Sequence, residues 1–228
     1  MNWDTLEKLN RAVELKDAST AAHTARVALY SQAVAESLGL AVEQVERVVA
    51  AAIVHDIGKI DIPSTILAKP GRLTPEEFEV MKTHTVLGHR RLLEMGERDP
   101  VVLDLVRSHH ERLDGSGYPD GLVGHAIPVA ARLFAVIDTF DAMTSLRPYR
   151  EEVGEQAAQR ALEELRERAG TWYWPEAVGA FVDLYKQRGL TWILHHFNDR
   201  ESMRDLSAPS AAELADLCRD LSSGKARS

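Results

Sequence analysis

The side chains best suited to chemistry recur along the chain. They are His23, the run His55-Asp56-Ile57-Gly58-Lys59, His84, the run His109-His110-Glu111, and Asp138. Imidazole nitrogens and carboxylate oxygens without sulfur are a ligand set for iron, manganese or zinc. Taken singly most are commonplace: His-Asp dipeptides arise by chance, and a lone histidine such as His84 more often packs or faces solvent. Asp138 says more, because Phe134-Ala135-Val136-Ile137-Asp138-Thr139-Phe140 otherwise reads as buried helix, where an unpartnered carboxylate is costly. The set His23, His55, Asp56, His84, His109, His110 and Asp138 exceeds what one ion needs and fits two ions sharing a carboxylate. Asp56 is the natural bridge, with His55 beside it on one of the two ions. His89, His125, His195 and His196 fit no such pattern and read as structural or surface residues.

Cations near these positions suit phosphate. Lys59 follows His55 by four residues and lies one turn along the same face if the helix continues. Arg147 and Arg150 flank Pro148-Tyr149 just past the segment carrying Asp138, and guanidinium forks match phosphate oxygens. In a chain of net charge −8 they would supply the local positive charge an anionic ligand needs. Arg26 shares a helix face with His23 and is expected to form a supporting ion pair. The loop from Asp114 to Gly121 contains Gly115, Gly117, Tyr118 and Pro119, so its backbone can approach a ligand closely.

Helices must position all of these. Apolar residues at helical spacing predict helices over Asp4–Leu15, Thr20–Leu38, Val42–Val54, Val101–His110, Pro128–Ser145, Glu152–Ala169 and Pro175–Gln187. Thr74-Pro75-Glu76-Glu77 is a helix start, with Thr74 as cap, Pro75 in the first turn and Glu77 closing a capping box. Strand alternation and internal repeats are absent from the pattern, so the class is all-α. Residues 1–188 read as one helical domain and 189–228 as an appendage, partly disordered toward its end. Thr171-Trp172-Tyr173-Trp174 reads as core packing at a helix start.

Composition narrows the classes further. Of 228 residues, 45% are hydrophobic, enough for one sizeable core. The acidic balance argues against binding a nucleic acid polymer. The single cysteine, Cys218, excludes a disulfide framework and a thiolate metal site, and it suits a cytoplasmic protein. The apolar run Val48–Val54 falls far short of the roughly 20 residues a membrane span needs, and the N-terminus lacks a signal-peptide pattern. The residues before position 20 are too few for a receiver, sensor or cyclase domain. The amphipathic N-terminal helix is expected as a linker remnant or a homodimer contact.

The linked motifs resemble the HD-GYP family, a subgroup of the HD metal-dependent phosphohydrolases. The resemblance runs from His23-x-x-Arg26 through His55-Asp56-x-Gly58-Lys59-Ile60-x-Ile62-Pro63 and Met81-x-x-His84-x-x-x-Gly88. It continues through His109-His110-Glu111-x-x-Asp114-Gly115-x-Gly117-Tyr118-Pro119-x-Gly121-Leu122 to Ala135-Val136-x-Asp138-x-Phe140-Asp141-Ala142 and Arg147-Pro148-Tyr149-Arg150. It implies an HD-type helical bundle with a buried metal site, commonly of iron or manganese, that hydrolyses cyclic di-GMP to linear pGpG, GMP or both. One ion would take His23, His55, Asp56 and Asp138; the second would share Asp56 and take His84, His109 and His110. A third ion in the family needs a glutamate one turn before the first histidine; Ser19 stands there, so a binuclear site is expected. Two ions would make hydroxide available near neutral pH for in-line attack on phosphorus. Lys59 is then assigned to the substrate phosphate or the leaving group, Arg147 and Arg150 to phosphate, and Gly117 and Tyr118 to the substrate, Tyr118 by stacking on guanine. The same loop is a candidate surface for a signalling partner. Trp174-Pro175 departs from the family, where Asp-Pro is usual. The competing readings are a cyclic di-GMP receptor without turnover and a hydrolase of another cyclic dinucleotide.

Overall fold

Thr74 caps its helix as the sequence predicts: its hydroxyl accepts from Glu77 N at 3.3 Å, and Glu77 returns a bond from Thr74 N at 2.7 Å. The computed structural model describes residues 3–16, 20–145, 155–187 and 190–193. In chain order the helices are α1 (Trp3–Glu14), α2 (Thr20–Ser37), α3 (Val42–Val54), α4 (Ser64–Leu67), α5 (Pro75–Lys82), α6 (His84–Glu94), α7 (Pro100–Ser108), α8 (Val129–Thr144), α9 (Glu155–Glu167) and α10 (Pro175–Gln187). Two 3₁₀ segments, Ile57–Asp61 and Gly124–Ala126, complete the order. Among the described residues there is no strand, only the isolated bridges Asp114–Val123 and Ala169–Tyr173. The all-α class read from the sequence is the observed one. No described helix is long and apolar enough to cross a membrane.

Helix α2 packs on α3 and α8, and α3 on α7, so the apolar faces of these four meet in one core. Behind the site α2, α8 and α10 lock through aromatic rings. Tyr30 meets Phe140 edge-on at 5.8 Å and Phe181 at 5.4 Å, and Phe140 meets Tyr185 at 5.0 Å. Such pairs add roughly 0.5–1.5 kcal/mol each beyond the area they bury. They hold α2 and α8, which carry His23 and Asp138, in fixed relation.

Two local features shape the site. The helix that starts at Pro75 ends at Lys82, and His84 opens the next one. Helix α3 ends at Val54 as predicted, but no helix continues to Lys59: the chain tightens into the 3₁₀ segment that carries it. Gly58 explains the second feature. A Cβ there would stand 1.9 Å from His84 O and 2.5 Å from Gly88 N, both backbone atoms that cannot move aside cheaply. The segment therefore lies backbone against backbone on α6, an approach only glycine permits. Lys59 reaches the site by this turn and not by a continued α-helix.

Candidate metal centre

Helix ends converge on the middle of α8. His23 lies in the first turn of α2, His55 caps the C-terminus of α3, His84 begins α6, and His109 caps the C-terminus of α7, with His110 next to it. Asp138 points in from α8. Three overlapping groups each hold their ligand atoms within 4.8 Å of one another. These are His84, His109 and His110; His23, His55 and Asp138; and His55, Asp56 and His109. All seven residues singled out by the sequence are thus brought into one cluster. His55, His84 and His109 are 2% exposed or less, and Phe134 floors the cluster 4.8 Å from the His55 ring.

Hydrogen bonds fix which ring nitrogen faces inward. The Nδ1 of His55 lies 2.7 Å from Ala52 O, that of His84 2.8 Å from Met81 O, and that of His109 3.0 Å from Val106 O. Carbonyls only accept, so each Nδ1 carries a proton, and Nε2 is the atom each ring offers a metal when neutral. His23 is oriented likewise by Asp141, whose Oδ2 accepts from Nδ1 at 2.7 Å. As a result Nε2 of His23 faces Nε2 of His55 at 3.2 Å, and Nε2 of His84 faces Nε2 of His109 at 3.3 Å. Lone pairs opposed at that distance repel unless a cation or proton lies among them. The donor set therefore fits divalent ions: neutral imidazoles, carboxylates and no sulfur.

Electrostatics agree. Burial lowers the pKa of His84 and His109, and neighbouring histidines push His109 well below the ordinary value. Burial, then His84, lowers His110 too, although its side chain keeps 29% exposure. These three stay neutral, as ligands must. His55 differs: burial works downward, but Asp56 and then Asp138 outweigh it and raise its pKa. Burial would raise Asp56, yet Lys59, His55 and His84 hold it well below the carboxylate range. Its two oxygens diverge, Oδ2 lying 3.2 Å from His55 Nε2 and Oδ1 3.4 Å from His84 Nε2. Asp138 likewise lies between His23 Nε2 at 3.7 Å and His110 Nδ1 at 4.0 Å. Lys59 Nζ stands 2.6 Å from Asp56 Oδ2.

The sequence matches the HD domain family over residues 7–177. This chain belongs to the HD domain family. Its HD domain is 45% identical over 188 residues to a cyclic di-GMP phosphodiesterase of Thermotoga maritima, covering 81% of this chain and 50% of that protein. It is 36% identical over 182 residues to the 3'3'-cGAMP-specific phosphodiesterase 2 of Vibrio cholerae, covering 77% of this chain and 33% of that one. The chain thus spans about half the length of the first of these relatives and a third of the second. Its fold is that of an HDG"Y"P protein from Bdellovibrio bacteriovorus. The TM-score is 0.59 at 22% identity, covering 72% of this chain and 51% of the other.

Two buried carboxylates of this HD domain gave weaker signals in the sequence. Asp141 is fully buried and accepts from Arg26 Nε at 2.5 Å, Arg26 Nη2 at 2.9 Å, Ser145 Oγ at 2.8 Å and His23 Nδ1. The ion pair expected of Arg26 is therefore present, and it steadies His23 through Asp141. Asp141 lies three residues after Asp138, on the same helix face, which is the one local signal of its role. Glu111, 3% exposed, accepts from Asp120 N at 2.7 Å and Leu122 N at 3.1 Å. It latches the far side of the glycine loop, while Tyr118 N donates to His110 O at 3.2 Å on the near side.

Gly117 fits beneath that loop because a Cβ would stand 2.4 Å from Arg112 N and from Glu111 Cα. Tyr118, followed by a cis bond to Pro119, lays its ring 4.8 Å from His110 at 33°. Trp172 lies between Arg112 at 3.6 Å and Arg168 at 4.3 Å, and Trp174 lies under Arg132 at 4.9 Å. Both tryptophans pack against the core. His89 is half-buried, and His125 is exposed beside Arg132 at 3.1 Å. Ser19, Arg147, Arg150, His195 and His196 lie outside the described residues.

Replacing Glu111 with glutamine turns one accepting oxygen into a donor facing a loop N–H. The expected loss is about 1–3 kcal/mol of local stability. Amide hydrogen exchange at Asp120 and Leu122 should quicken at least ~10-fold; unchanged protection at both would refute the latch.

Proposed function

We propose that this chain is a metal-dependent phosphodiesterase that hydrolyses cyclic di-GMP to linear pGpG, GMP or both. The convergence of seven nitrogen and oxygen donors with opposed Nε2 lone pairs carries this reading. The likeness to the Thermotoga protein supports the choice of substrate. His23, His55, Asp56 and Asp138 would hold one ion. His84, His109 and His110 would hold the other, with Asp56 shared. Iron or manganese suits this set, zinc being the third candidate. When bound, such ions supply Lewis acidity toward a phosphodiester and a nucleophile at neutral pH.

The remaining roles fall to the chain itself. The diverging oxygens of Asp56 fit a bridge. Lys59, beside Asp56, is placed to hold a phosphate oxygen or to give the leaving ribose oxygen its proton. Gly117 and Tyr118 form one wall, and Arg147 and Arg150 are assigned to the phosphates. Each hydrolysis breaks one P–O bond to ribose and adds the elements of water, so a first turnover opens the ring and a second yields GMP. In this reading residues 1–188 are the catalytic domain and 189–228 an appendage. The protein is cytoplasmic and the glycine loop is the surface for a signalling partner, while Leu6 and Val13 of α1 are taken up by the chain's own core.

A second substrate reading rests on the Vibrio relative, which is specific for 3'3'-cGAMP. The test is to purify the protein without oxygen, load it with Fe(II) or Mn(II), and offer each cyclic dinucleotide separately. Release of pGpG or GMP from cyclic di-GMP is the expected result. Turnover of 3'3'-cGAMP alone would reassign the substrate. No turnover with ions bound would leave a receptor.

A further inference from the structure

Helix α5 presents Phe78 to solvent at 46% exposure, directly beside the cluster. A half-exposed phenylalanine is ordinary by itself; its neighbours are what give it a use. The ring stands 6.3 Å from that of Tyr118 at 84°, and Tyr118 in turn lies 4.8 Å from His110. Two aromatic rings at right angles make a corner, and two ring-to-ring steps lead from Phe78 to His110 of the cluster. Lys82, one turn along α5, holds its ammonium 5.6 Å from the Phe78 ring centre and 5.8 Å from that of Tyr118. Its partner is Glu79 at 2.7 Å, an outward carboxylate 71% exposed. An ammonium has three protons, so donors remain beyond that pair.

We propose that Phe78, Tyr118 and Lys82 form a base-recognition subsite for a guanine of the substrate. The inference rests on the cyclic dinucleotide reading above and deepens it. A purine one ribose away from a phosphate at the cluster reaches the Phe78–Tyr118 corner and stacks there. Stacking tolerates any base, because every base has a π face. Discrimination comes from Lys82. Guanine offers O6 and N7, two acceptors on one edge, whereas adenine offers N7 beside an amino donor that an ammonium repels. Phe78 thus supplies affinity and Lys82 supplies preference for guanine.

The experiment is calorimetric titration of the 228-residue chain loaded with Mn(II), using slowly hydrolysed phosphorothioate analogues of cyclic di-GMP and cyclic di-AMP. Phe78→Ala should weaken both ligands about 10-fold, and Phe78→Tyr should restore binding. Lys82→Met should lower the ratio of cyclic di-GMP to cyclic di-AMP affinity about 5-fold. A uniform loss with that ratio intact would reduce Lys82 to a general anion attractor and overturn its assignment. Unchanged affinity in Phe78→Ala, or no binding by the wild type, overturns the subsite. Turnover assayed separately keeps the two ideas apart. Hydrolysis with these variants unaffected defeats the subsite alone. Binding that responds as stated, without hydrolysis under any metal, defeats the phosphodiesterase alone.

Discussion

Replacing Asp56 with alanine is expected to cut cyclic di-GMP hydrolysis roughly 1,000-fold or more, the scale on which positioned electrostatic groups act in catalysis. The residue is 6% exposed, and each of its oxygens faces a different half of the histidine cluster. Its loss removes the carboxylate that stands nearest to both halves, Asp138 lying farther from its histidines at 3.7 and 4.0 Å. It also removes the charge that raises the His55 pKa and that pairs with Lys59. Bound metal, measured by elemental analysis, should fall together with turnover. The fold should survive, because Lys59 keeps 22% side-chain exposure and can turn its charge to water. Asp61→Ala is the matched control. Asp61 lies five residues on and pairs with Arg91 at 2.7 Å in a bridge whose side chains are each about a third exposed. Such surface pairs contribute little, so near wild-type turnover is expected there. Full activity and metal content in Asp56→Ala would remove the bridging role.

Arg26→Met should be among the most destabilising single changes in the chain. Arg26 and Asp141 are 2% and 0% exposed, and removing one partner of a buried pair costs about 3–5 kcal/mol. For a domain of this size that is a fall in Tm of roughly 10 °C. The pH dependence gives a second signature. Burial acts to raise the Asp141 pKa, but Arg26 and His23 hold it far below the ordinary value. In the wild type its contribution is therefore present above the unfolded pKa near 4 and lost only as pH falls through the lower folded value. Without Arg26, burial prevails and the folded pKa rises above the unfolded one. Protonation then favours the folded variant, so the gap in Tm between wild type and Arg26→Met should narrow as pH falls from 7 to 5. A gap that widens would show that Arg26 does not govern the Asp141 charge. Asp141→Asn combined with Arg26→Met should recover part of the loss, since no buried charge is left unpaired.

The parts legible in the sequence are those governed by local rules. Thr74, Pro75 and Glu77 announce a helix start because a capping box is complete within four residues. Apolar spacing gave α3 and α10 their observed bounds, since packing one face requires that period. The histidines and carboxylates of the cluster were likewise visible as residue types in recurrent short motifs, before any geometry. The 3₁₀ turn at Ile57–Asp61 was not visible, because it arises where Gly58 meets the backbone of His84 and Gly88 on another helix. The tautomers of His55, His84 and His109 rest on carbonyls three residues back, but the links of Asp141 to Arg26 and His23 belong to the same class. Their partners are 115 and 118 residues apart, and periodicity within one helix carries no record of such a contact. The corner of Phe78, Lys82 and Tyr118 exists only because α5 and the glycine loop fold to the same mouth. Sequence alone determined which histidines and carboxylates are the candidate ligands and which helices lie beside them. Tertiary structure decided which Nε2 atoms face one another, how Asp56 divides its oxygens, and what lies at the entrance, because those depend on distances between helices that no local pattern encodes.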